Sequence, residues 1–352
     1  MTEHLRRGLR GAAGLFVVAV VGPLAALTLM QRLSSETWTW VELSRYLPYY
    51  WLLLLCLAAL AVSVWLGRTW VVVSLAAMAL LAGVTMRPEW GSGAPASEHV
   101  RLMTFNIKAG RAVQFRDGVL ALGVEVARHD PDILVMQDAD GLLVDRGAQA
   151  LVGVQMFGLP HVFALGQYVV ASRWPLLGCG AGQIGYRDQS HRYLRCTVDV
   201  RGVALTVVTA HFLSPRSGLA ATRFEGLDGV VEWQQNFRDR LAQAQALARD
   251  LAAMPRPLVV AGDLNAPESS PVVQTLLRTG VRDAFSAAGR GYGYTYGHAM
   301  RGLAFLRIDH ILMSPDIAVA DSFVGQGEAS EHRPVIADLV LKRQSLGVGT
   351  TQ

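Results

Sequence analysis

The sequence has very little charge between residues 11 and 86, and three stretches there, 11–30, 49–66 and 70–86, have none at all. Apolar stretches of about 17 to 25 residues are long enough to cross a bilayer as helices. Pro23 interrupts the first stretch, which membrane helices tolerate. The sequence therefore predicts a membrane domain over residues 1–87 with three transmembrane helices. The alternative is a signal peptide followed by a buried hairpin.

Basic residues near the ends of these stretches are few, and they divide unevenly between two sides. One side has Arg6, Arg7, Arg10 and Arg68, and the other has Arg32, Arg45 and Arg87. Arg and Lys close to membrane helices favour the cytoplasmic side. We therefore predict that the N-terminus is cytoplasmic, that the lipid bilayer is a partner of the chain, and that everything after residue 87 is extracytoplasmic.

The chain contains three cysteines, which excludes a framework built on disulfides. Cys56 falls inside the second predicted span. Cys179 and Cys196 could pair in an oxidising compartment, but two cysteines give no spacing pattern. We therefore expect both to be unpaired small residues of the core.

Runs of basic residues are absent as well. Residues 99–342 contain 24 Arg and Lys against 23 Asp and Glu, a net charge of +1. Proteins that follow the backbone of duplex nucleic acid need several basic contacts with phosphates. Nucleic acid therefore stays open as a partner, but the charge does not favour it.

What the remaining sequence does contain is a series of apolar strands with polar residues at their ends. These residues are Asn106, Asp138, His211, Asp263, Asp309 and, before a last strand at 335–341, Glu331 and His332. Residues i and i+2 of a strand share a face, so Asp263 and Asn265 are predicted to stand side by side at the sheet edge. An acid beside a neutral donor suits an attacking water and a phosphate oxygen. Gly-Asp turns are also common punctuation after strands, but the agreement of six strand ends favours a site.

The pattern also predicts the domain organisation. Small residues at 88–98 predict a linker, 99–342 a soluble domain, and 343–352 a tail. Helical patterns at 119–129, 232–254 and 271–277 occur among the strands, and 212–231 is interpreted as an irregular loop. Several strands follow one another without a helix. This order predicts an α+β fold, a two-layer β-sandwich flanked by helices, preceded by three transmembrane helices.

The motifs, taken in order, resemble the endonuclease/exonuclease/phosphatase superfamily, which has the DNase-I-like fold. They are Asn106, Gln-Asp at 137–138, His211, Gly-Asp-Leu-Asn at 262–265, Arg-Ile-Asp-His at 307–310 and Ser-Glu-His-Arg-Pro at 330–334. The resemblance covers residues 99–342. With three spans in front, the chain also resembles bacterial membrane proteins related to glycopeptide-resistance factors of the teicoplanin type, which implies a multi-pass protein of the bacterial plasma membrane.

The resemblance implies a role for each motif residue. Asn106, Asp138 and Glu331 match metal ligands, and hard oxygen ligands suit Mg²⁺, with Mn²⁺ as an alternative. Asp263 matches the residue that orients or deprotonates water, and Asn265 steadies that water or a phosphate oxygen. His332 is the second acid or base, Asp309 orients it, and His211 donates to a phosphate oxygen. His310 is expected to face away from Asp309 and to be structural.

Two residues depart from the family pattern, since Asp138 stands where Glu is usual and Glu331 where Asp is usual. We expect the two changes in side-chain length to compensate if both residues reach one ion. The preferred function is a membrane-anchored, metal-dependent phosphoesterase acting outside the cytoplasm on a phosphate ester or diphosphate, with a phosphorylated lipid as the favoured substrate. The alternatives are an extracytoplasmic nuclease of the same fold and a catalytically silent domain that binds lipid or a partner.

Overall fold

The computed structural model describes residues 3–33, 38–112, 114, 117–140, 142, 149–151, 154–297 and 303–342. The predicted tail, 343–352, lies outside them. The chain divides into two compact units, Met1–Pro88 and Glu89–Gln352.

The first unit is helical. It contains α1 (Glu3–Leu33), α2 (Thr39–Ser44), α3 (Tyr49–Leu66) and α4 (Arg68–Ala79), which continues as a π-helical segment, Leu80–Thr85. Three helices, Glu3–Leu33, Tyr49–Leu66 and Arg68–Thr85, are long and apolar enough to cross a membrane. The hydroxyl oxygens of Ser63 and Ser74 lie 2.8 Å apart between α3 and α4. Interhelical hydrogen bonds of this kind support helix packing in lipid.

The second unit combines strands with helices. Its strands are β1 (Glu89–Trp90), β2 (Val100–Asn106), β3 (Ile133–Gln137), β4 (Gln149–Leu151), β5 (His161–Leu165), β6 (Tyr168–Ser172), β7 (Leu176–Gln183), β8 (Arg192–Val200), β9 (Val203–His211), β10 (Leu258–Asp263), β11 (Arg282–Asp283), β12 (Arg290–Gly291), β13 (Asp309–Met313), β14 (Ile317–Val324) and β15 (Val335–Leu341). Its helices are α5 (Ala109–Ala112), α6 (Gly118–His129), α7 (Arg216–Phe224), α8 (Gly226–Ala253), α9 (Pro271–Leu277) and α10 (Ala284–Ala288).

These strands form two large mixed sheets and a small pair. The six-stranded sheet has the order β11-β13-β10-β9-β8-β7, the seven-stranded sheet has the order β14-β15-β2-β3-β6-β5-β4, and β1 pairs with β12. In each large sheet, two neighbouring strands run parallel, β9 with β10 and β2 with β3. The polar ends of these parallel strands therefore lie at one edge of each sheet.

The core has three apolar layers. Alternate strand residues such as Val259 of β10 and Leu102 of β2 fill the space between the two sheets. Helices α8 and α9 cover the outer face of the six-stranded sheet, where Leu247 packs in the same cluster as strand residues. Helix α6 covers the seven-stranded sheet through residues such as Leu122. The predicted two-layer sandwich flanked by helices is confirmed.

Residues 88–98 do not behave as a free linker. Strand β1 within this stretch pairs with β12. A Cβ on Gly91 would lie 2.6 Å from the Cα of Ala288, and a Cβ on Gly93 would overlap the carbonyl group of Ala320. The small residues therefore allow this stretch to pack closely against neighbouring segments. Small residues are also typical of linkers, and the composition resembled that of a linker for this reason.

The expectation that Cys179 and Cys196 are unpaired is wrong. The two sulfurs form a disulfide, and the residues are direct partners across β7 and β8 with Cα atoms 4.1 Å apart. Their pairing depends on the register of two antiparallel strands, which a separation of 17 residues in sequence does not reveal.

The segment 212–231, expected to be an irregular loop, is mostly helical. It contains all of α7 and the first turns of α8, so the predicted helix at 232–254 begins earlier, at Gly226. The two helices meet so closely that a Cβ on Gly229 would overlap the backbone of Ala221. The absence of a side chain at Gly229 therefore permits a tight corner between the two helices.

Candidate active site

Three polar residues stand in a row at one edge of the six-stranded sheet. Asp263, the last residue of β10, pairs with His211 of β9 on one side and with Asp309 of β13 on the other. Alternate residues of β10, Val259 and Ala261, belong to the core between the sheets. Because side chains alternate along a strand, Asp263 follows them on the same face. The apolar layer therefore ends in a row of ionisable groups.

The facing sheet contributes Asn106 at the end of β2. Its Nδ2 donates to Oδ2 of Asp263 at 2.9 Å, which links the two sheets. On the neighbouring strand β3, Gln137 is the register partner of Asn106 and donates to the hydroxyl oxygens of Thr104 at 3.1 Å and Thr209 at 2.9 Å. All of these side chains are buried. Hydrogen bonds between buried polar groups remove the cost of burying them and fix the sheet edges that hold the site.

Asp263 is at the centre of the arrangement. It is 1% exposed, and its Oδ1 accepts from the backbone N–H of Asn265 at 2.9 Å. Its Oδ2 lies 3.4 Å from Nε2 of His211 and 3.8 Å from Nε2 of His332. One carboxylate thus faces two imidazole rings at the end of the core.

His332 is held on its other side by Asp309. Nδ1 of His332 donates to Oδ2 of Asp309 at 2.9 Å, the orienting bond that the motifs imply. The ring also packs on Tyr296, with ring centroids 4.5 Å apart. Burial lowers the pKa of His332, but the carboxylates of Asp309 and Asp263 outweigh it and raise that pKa above its ordinary value. His332 therefore keeps its proton to a higher pH than a free histidine does.

His211 is fixed by three contacts. Its Nδ1 lies 2.6 Å from Oε1 of Gln167, and its backbone N–H donates to the hydroxyl of Tyr168 at 3.0 Å. Because a glutamine Oε1 accepts only, Nδ1 of His211 donates this bond. Nδ1 also lies 3.4 Å from Oδ1 of Asp138. The ring is thereby oriented with Nε2 toward Asp263.

Asn265 lies in a turn after Asp263, and not in the strand as the periodicity had predicted. Strand β10 ends at Asp263, and Asn265 has a φ of +50°, in the left-handed region. Its side chain donates to the carbonyl oxygen of Phe212 at 2.8 Å. The i to i+2 rule fails here because the chain turns immediately after the strand, and Asp263 accepts from the backbone of that turn.

The three predicted metal ligands contact different partners. Asn106 bonds to Asp263, whereas Asp138 forms an ion pair with Nζ of Lys108. Burial raises the pKa of Asp138, but His211 and Lys108 outweigh it and hold that pKa well below its usual range. Asp138 is therefore a carboxylate at any ordinary pH.

Glu331 contacts two arginines. It forms an ion pair with Arg111 and accepts from Nη2 of Arg216 at 2.7 Å. About a third of its side chain is exposed. Asp138 and Glu331 were expected to reach one metal ion, with their changes in side-chain length compensating. The contacts of Glu331 do not reflect this expectation, because its longer side chain reaches the arginines.

Where the chain is described, one group of histidine and carboxylate atoms is close enough to share a metal ion. It consists of Asp263, Asp309 and His332, whose ligand atoms lie within 4.8 Å of one another. Two of these atoms belong to the hydrogen-bonded Asp309–His332 pair. The oxygens of Asn106 and Asp138, at the adjoining strand ends, are the donor type that Mg²⁺ prefers.

A cleft with a volume of about 990 Å³ opens beside the site. Its lining combines three cationic side chains, Lys108, Arg111 and Arg333, and three acidic ones, Asp117, Glu328 and Glu331, with apolar ones such as Leu303. A lining that mixes charged and apolar side chains suits an amphiphilic ligand.

Several residues of the site were not found from sequence. Lys108, Gln167 and Tyr168 contact motif residues, but none belongs to a recognisable motif. Lys108 is one of two lysines in the chain, and that rarity was the one signal available for it. The others depend on which strands become neighbours.

Three further residues lie around the motifs. His310 faces away from the site, with Nδ1 2.8 Å from Oδ2 of Asp283, as strand alternation predicted. Arg173 forms an exposed salt bridge with Asp132 at 2.7 Å. Tyr296 packs against the ring of His332.

Comparisons with known proteins agree with this fold. The model of the Endonuclease/Exonuclease/phosphatase family matches residues 103–332. Among solved structures, the chain is similar to an endonuclease/exonuclease/phosphatase from Beutenbergia cavernae DSM 12333, with 21% identity over 69% of this chain and 72% of that chain and a TM-score of 0.47. No curated protein matches the chain.

Two further solved structures are of TDP2 from D. rerio. A humanized form with 14 mutations has 15% identity over 69% of this chain and 100% of that chain, with a TM-score of 0.51. A complex with a single strand DNA product has 14% identity over 68% and 98%, with a TM-score of 0.50. At these identities the structures show the fold, whereas the family model covers most of the chain. The chain therefore belongs to the endonuclease/exonuclease/phosphatase family of phosphoester hydrolases.

Proposed function

We propose that the chain is a membrane-anchored, divalent-metal-dependent phosphoesterase that hydrolyses a phosphate ester or diphosphate of a lipid outside the cytoplasm. The observation that carries the proposal is the Asp263 centre, where a buried carboxylate lies within 3.8 Å of two imidazole nitrogens. The same chain has three helices long and apolar enough to cross a membrane.

Asp263 acts as the group that orients and deprotonates the attacking water. Its Oδ2 points toward both imidazoles, and its Oδ1 is fixed by the backbone of the following turn. A general base must lie within hydrogen-bond reach of the water that attacks phosphorus. The bond from Asn106 holds the carboxylate in a single orientation, and Asn265 contributes by fixing the turn through Phe212.

The two histidines contact the phosphoryl group. His332, kept protonated by Asp309, donates from Nε2 to a phosphoryl or leaving-group oxygen, where negative charge develops during transfer. When both ring nitrogens of His211 carry protons, its Nε2 donates to a second phosphoryl oxygen. Asp309 does not touch substrate and is a positioning residue.

A divalent cation such as Mg²⁺, or Mn²⁺, would be held by Asn106 and Asp138. When bound there, it neutralises charge on the phosphoryl oxygens. The fit rests on donor chemistry, since both side chains offer hard oxygens and Asp138 stays ionised. Lys108 places a further positive charge at this end of the site. Glu331 is assigned to holding Arg111 and Arg216, which line the approach for an anionic substrate.

Three observations support a lipid as substrate. The three apolar helices would keep the second unit at a bilayer surface, since residues 86–88 alone separate Thr85 from β1. The near-neutral charge of residues 99–342 does not favour a long polyanion. The cleft lining includes apolar side chains together with charged ones, which suits an amphiphilic substrate such as a phosphorylated lipid.

Two observations support an extracytoplasmic site. The Cys179–Cys196 disulfide is of a kind that persists in oxidising compartments and is rare in the cytosol. The arginines near the ends of the predicted spans favour a cytoplasmic N-terminus, and three spans then place the second unit on the other side.

A substrate panel tests the proposal. The full chain in detergent micelles with Mg²⁺ is offered a polyprenyl diphosphate, a phospholipid and single-stranded DNA, in parallel with Asp263→Asn and with Asp316→Asn, a matched change at an exposed aspartate. We expect wild type and Asp316→Asn to hydrolyse a lipid, and Asp263→Asn to hydrolyse none. Faster cleavage of DNA than of either lipid, or lipid hydrolysis by Asp263→Asn, would refute the proposal.

A nuclease of the same fold is the second candidate. The neighbour that favours it is TDP2 from D. rerio, whose solved complex contains a single strand DNA product. In the substrate panel, a nuclease would be recognised by DNA cleavage that decreases steeply as the salt concentration rises, because phosphate contacts release counterions.

A further inference from the structure

The corner between α7 and α8, residues 223–231, presents large apolar side chains to solvent. Phe224 is 75% exposed, Leu227 83% and Val231 65%. Leu227 and Val231 are four residues apart on α8 and therefore share one face, and Phe224 directly precedes the turn into it. Exposed apolar side chains grouped in this way mark interaction surfaces, because they stabilise nothing in the fold.

The shape of the helix corner is fixed. Gly226 at the turn has a φ of +60°, which favours glycine, and Gly229 allows α8 to contact the backbone of Ala221. The inward face is anchored by Trp233, which is 0% exposed. The three apolar side chains therefore point outward from a well-packed support, and they are not core residues of a loosely placed helix.

The charged residues around the helix corner indicate which kind of surface the corner can contact. Its exposed charged residues are Arg223, Glu225, Asp228 and Glu232, so acidic groups outnumber basic ones. A polyanion or a strongly acidic membrane would be repelled, whereas a zwitterionic lipid surface accepts apolar insertion without an electrostatic cost.

The corner is continuous with the active site. Helix α7 begins at Arg216, which bonds to Glu331 and whose Nε donates to the hydroxyl of Tyr296 at 3.0 Å. A helix of nine residues is roughly 13 Å long at about 1.5 Å per residue. The apolar tip is thus one short helix away from the rim of the catalytic cleft.

We infer that the helix corner is a membrane-docking surface, in which Phe224, Leu227 and Val231 insert into the interface of a zwitterionic bilayer beside the cleft. The occupant is the bilayer because the same chain has helices apolar enough to cross one, and β1 follows them closely. Insertion itself does not depend on the catalytic activity. Its consequence for turnover rests on the proposed function, since docking would present a lipid headgroup to the Asp263 centre.

The test uses the full chain in phosphatidylcholine nanodiscs, with Cys56→Ser to remove the free cysteine. Leu227→Cys carries an environment-sensitive fluorophore, and Leu177→Cys on β7, 61% exposed, is the matched control. We expect a blue-shifted emission and quenching by nitroxide-labelled lipids for the Leu227 label only. Equal quenching of both labels, or none at Leu227, overturns the inference. A Leu227 label that is shielded from water without lipid quenching also overturns it, because a second copy or another protein then covers the corner.

Lipid charge and kinetics add two checks. Replacing part of the phosphatidylcholine by phosphatidylglycerol should not strengthen the quenching, and an increase of severalfold would contradict the zwitterionic preference. The variant Phe224→Ser, Leu227→Ser, Val231→Ser should lose about tenfold in kcat/KM on polyprenyl diphosphate in a bilayer, but nothing on a water-soluble short-chain analogue. If this variant and the wild type hydrolyse polyprenyl diphosphate in the bilayer at equal rates, the proposed effect of docking on turnover is overturned. If wild type hydrolyses neither substrate, the proposed function fails, while the fluorescence result still decides the inference.

Discussion

At the scale of single residues, the proposed function separates side chains that would carry charge to the reaction from side chains that hold them. Asp263, His211 and His332 converge on one point, whereas Asp309 bonds to His332. Asp138 and Glu331 looked equivalent in sequence, but their contacts differ most. One lies beside His211 and Lys108 in the site, and the other is tied to arginines at the rim of the cleft.

This difference predicts unequal effects on metal binding. Asp138→Asn should raise the Mg²⁺ concentration needed for half-maximal activity by about tenfold or more, because a ligand charge is lost. Glu331→Gln should change that concentration by less than about threefold and should instead raise KM, since Arg111 and Arg216 lose their anchor. Metal titrations of phosphate release measure both. Equal losses of metal affinity in the two variants would restore Glu331 as a ligand.

The pH dependence should reveal the Asp309–His332 pair. The raised pKa of His332 means that its charged form, and the stability contributed by its ion pairs, are fully present below the ordinary histidine pKa and are lost as pH rises through the raised value. Asp309→Asn removes the nearest carboxylate, so the alkaline fall in kcat/KM should move to lower pH. Asp316→Asn should leave the profile unchanged. An alkaline limb that stays in place in Asp309→Asn would assign that limb to another group.

The motifs predicted most of the residues that gather at the site, because strand ends in a sheet edge place every second side chain on the same face. Asn265 was misplaced because periodicity cannot show where a strand stops, and its positive φ begins the turn. The ion pairs of Glu331 were not predicted, because its partners, Arg111 and Arg216, come from two helices that are distant in sequence.

At the scale of elements, the parallel pairing of β9 and β10 positions His211 beside Asp263. Gly262 pairs with Ala210, and a Cβ there would overlap the carbonyl oxygen of Ala210. The strands can approach closely only because residue 262 has no side chain, and the register of Asp263 with His211 depends on that approach.

Gly262→Ala should therefore destabilise the fold by about 1–3 kcal/mol through overpacking. Gly178→Ala on β7, where a Cβ would meet nothing within 4 Å, is the matched control and should be nearly neutral. Denaturant unfolding of the two variants measures the difference. If Gly262→Ala unfolds at the wild-type midpoint, the strands tolerate a side chain and the glycine is not required for their approach.

Elements with strong periodicity were predictable, including the strand 335–341 and the helix 271–277, which match β15 and α9. Helix α7 was not, since its Gly, Ser and Arg residues suggest a loop and its stability comes from packing against α8. The β7–β8 disulfide was missed for a similar reason, because register belongs to the assembled sheet.

At the scale of the whole molecule, the proposed function places the second unit outside the cytoplasm. In intact cells carrying Cys56→Ser, a membrane-impermeant maleimide should label Leu177→Cys without lysis, and His4→Cys only after lysis. The exposed side chain of Leu177 makes the first site reactive. The opposite pattern would place the catalytic unit in the cytoplasm, and the Cys179–Cys196 disulfide would then need a different explanation.

The most direct test of the central claim is phosphate release from a polyprenyl diphosphate by the full chain in phosphatidylcholine nanodiscs. We predict that wild type and Asp316→Asn release phosphate in the presence of Mg²⁺. The rate of release should fall by at least about 100-fold on chelation with EDTA or in Asp263→Asn. Release by Asp263→Asn at the wild-type rate, or release that EDTA does not reduce, would contradict a metal-dependent phosphoesterase centred on Asp263.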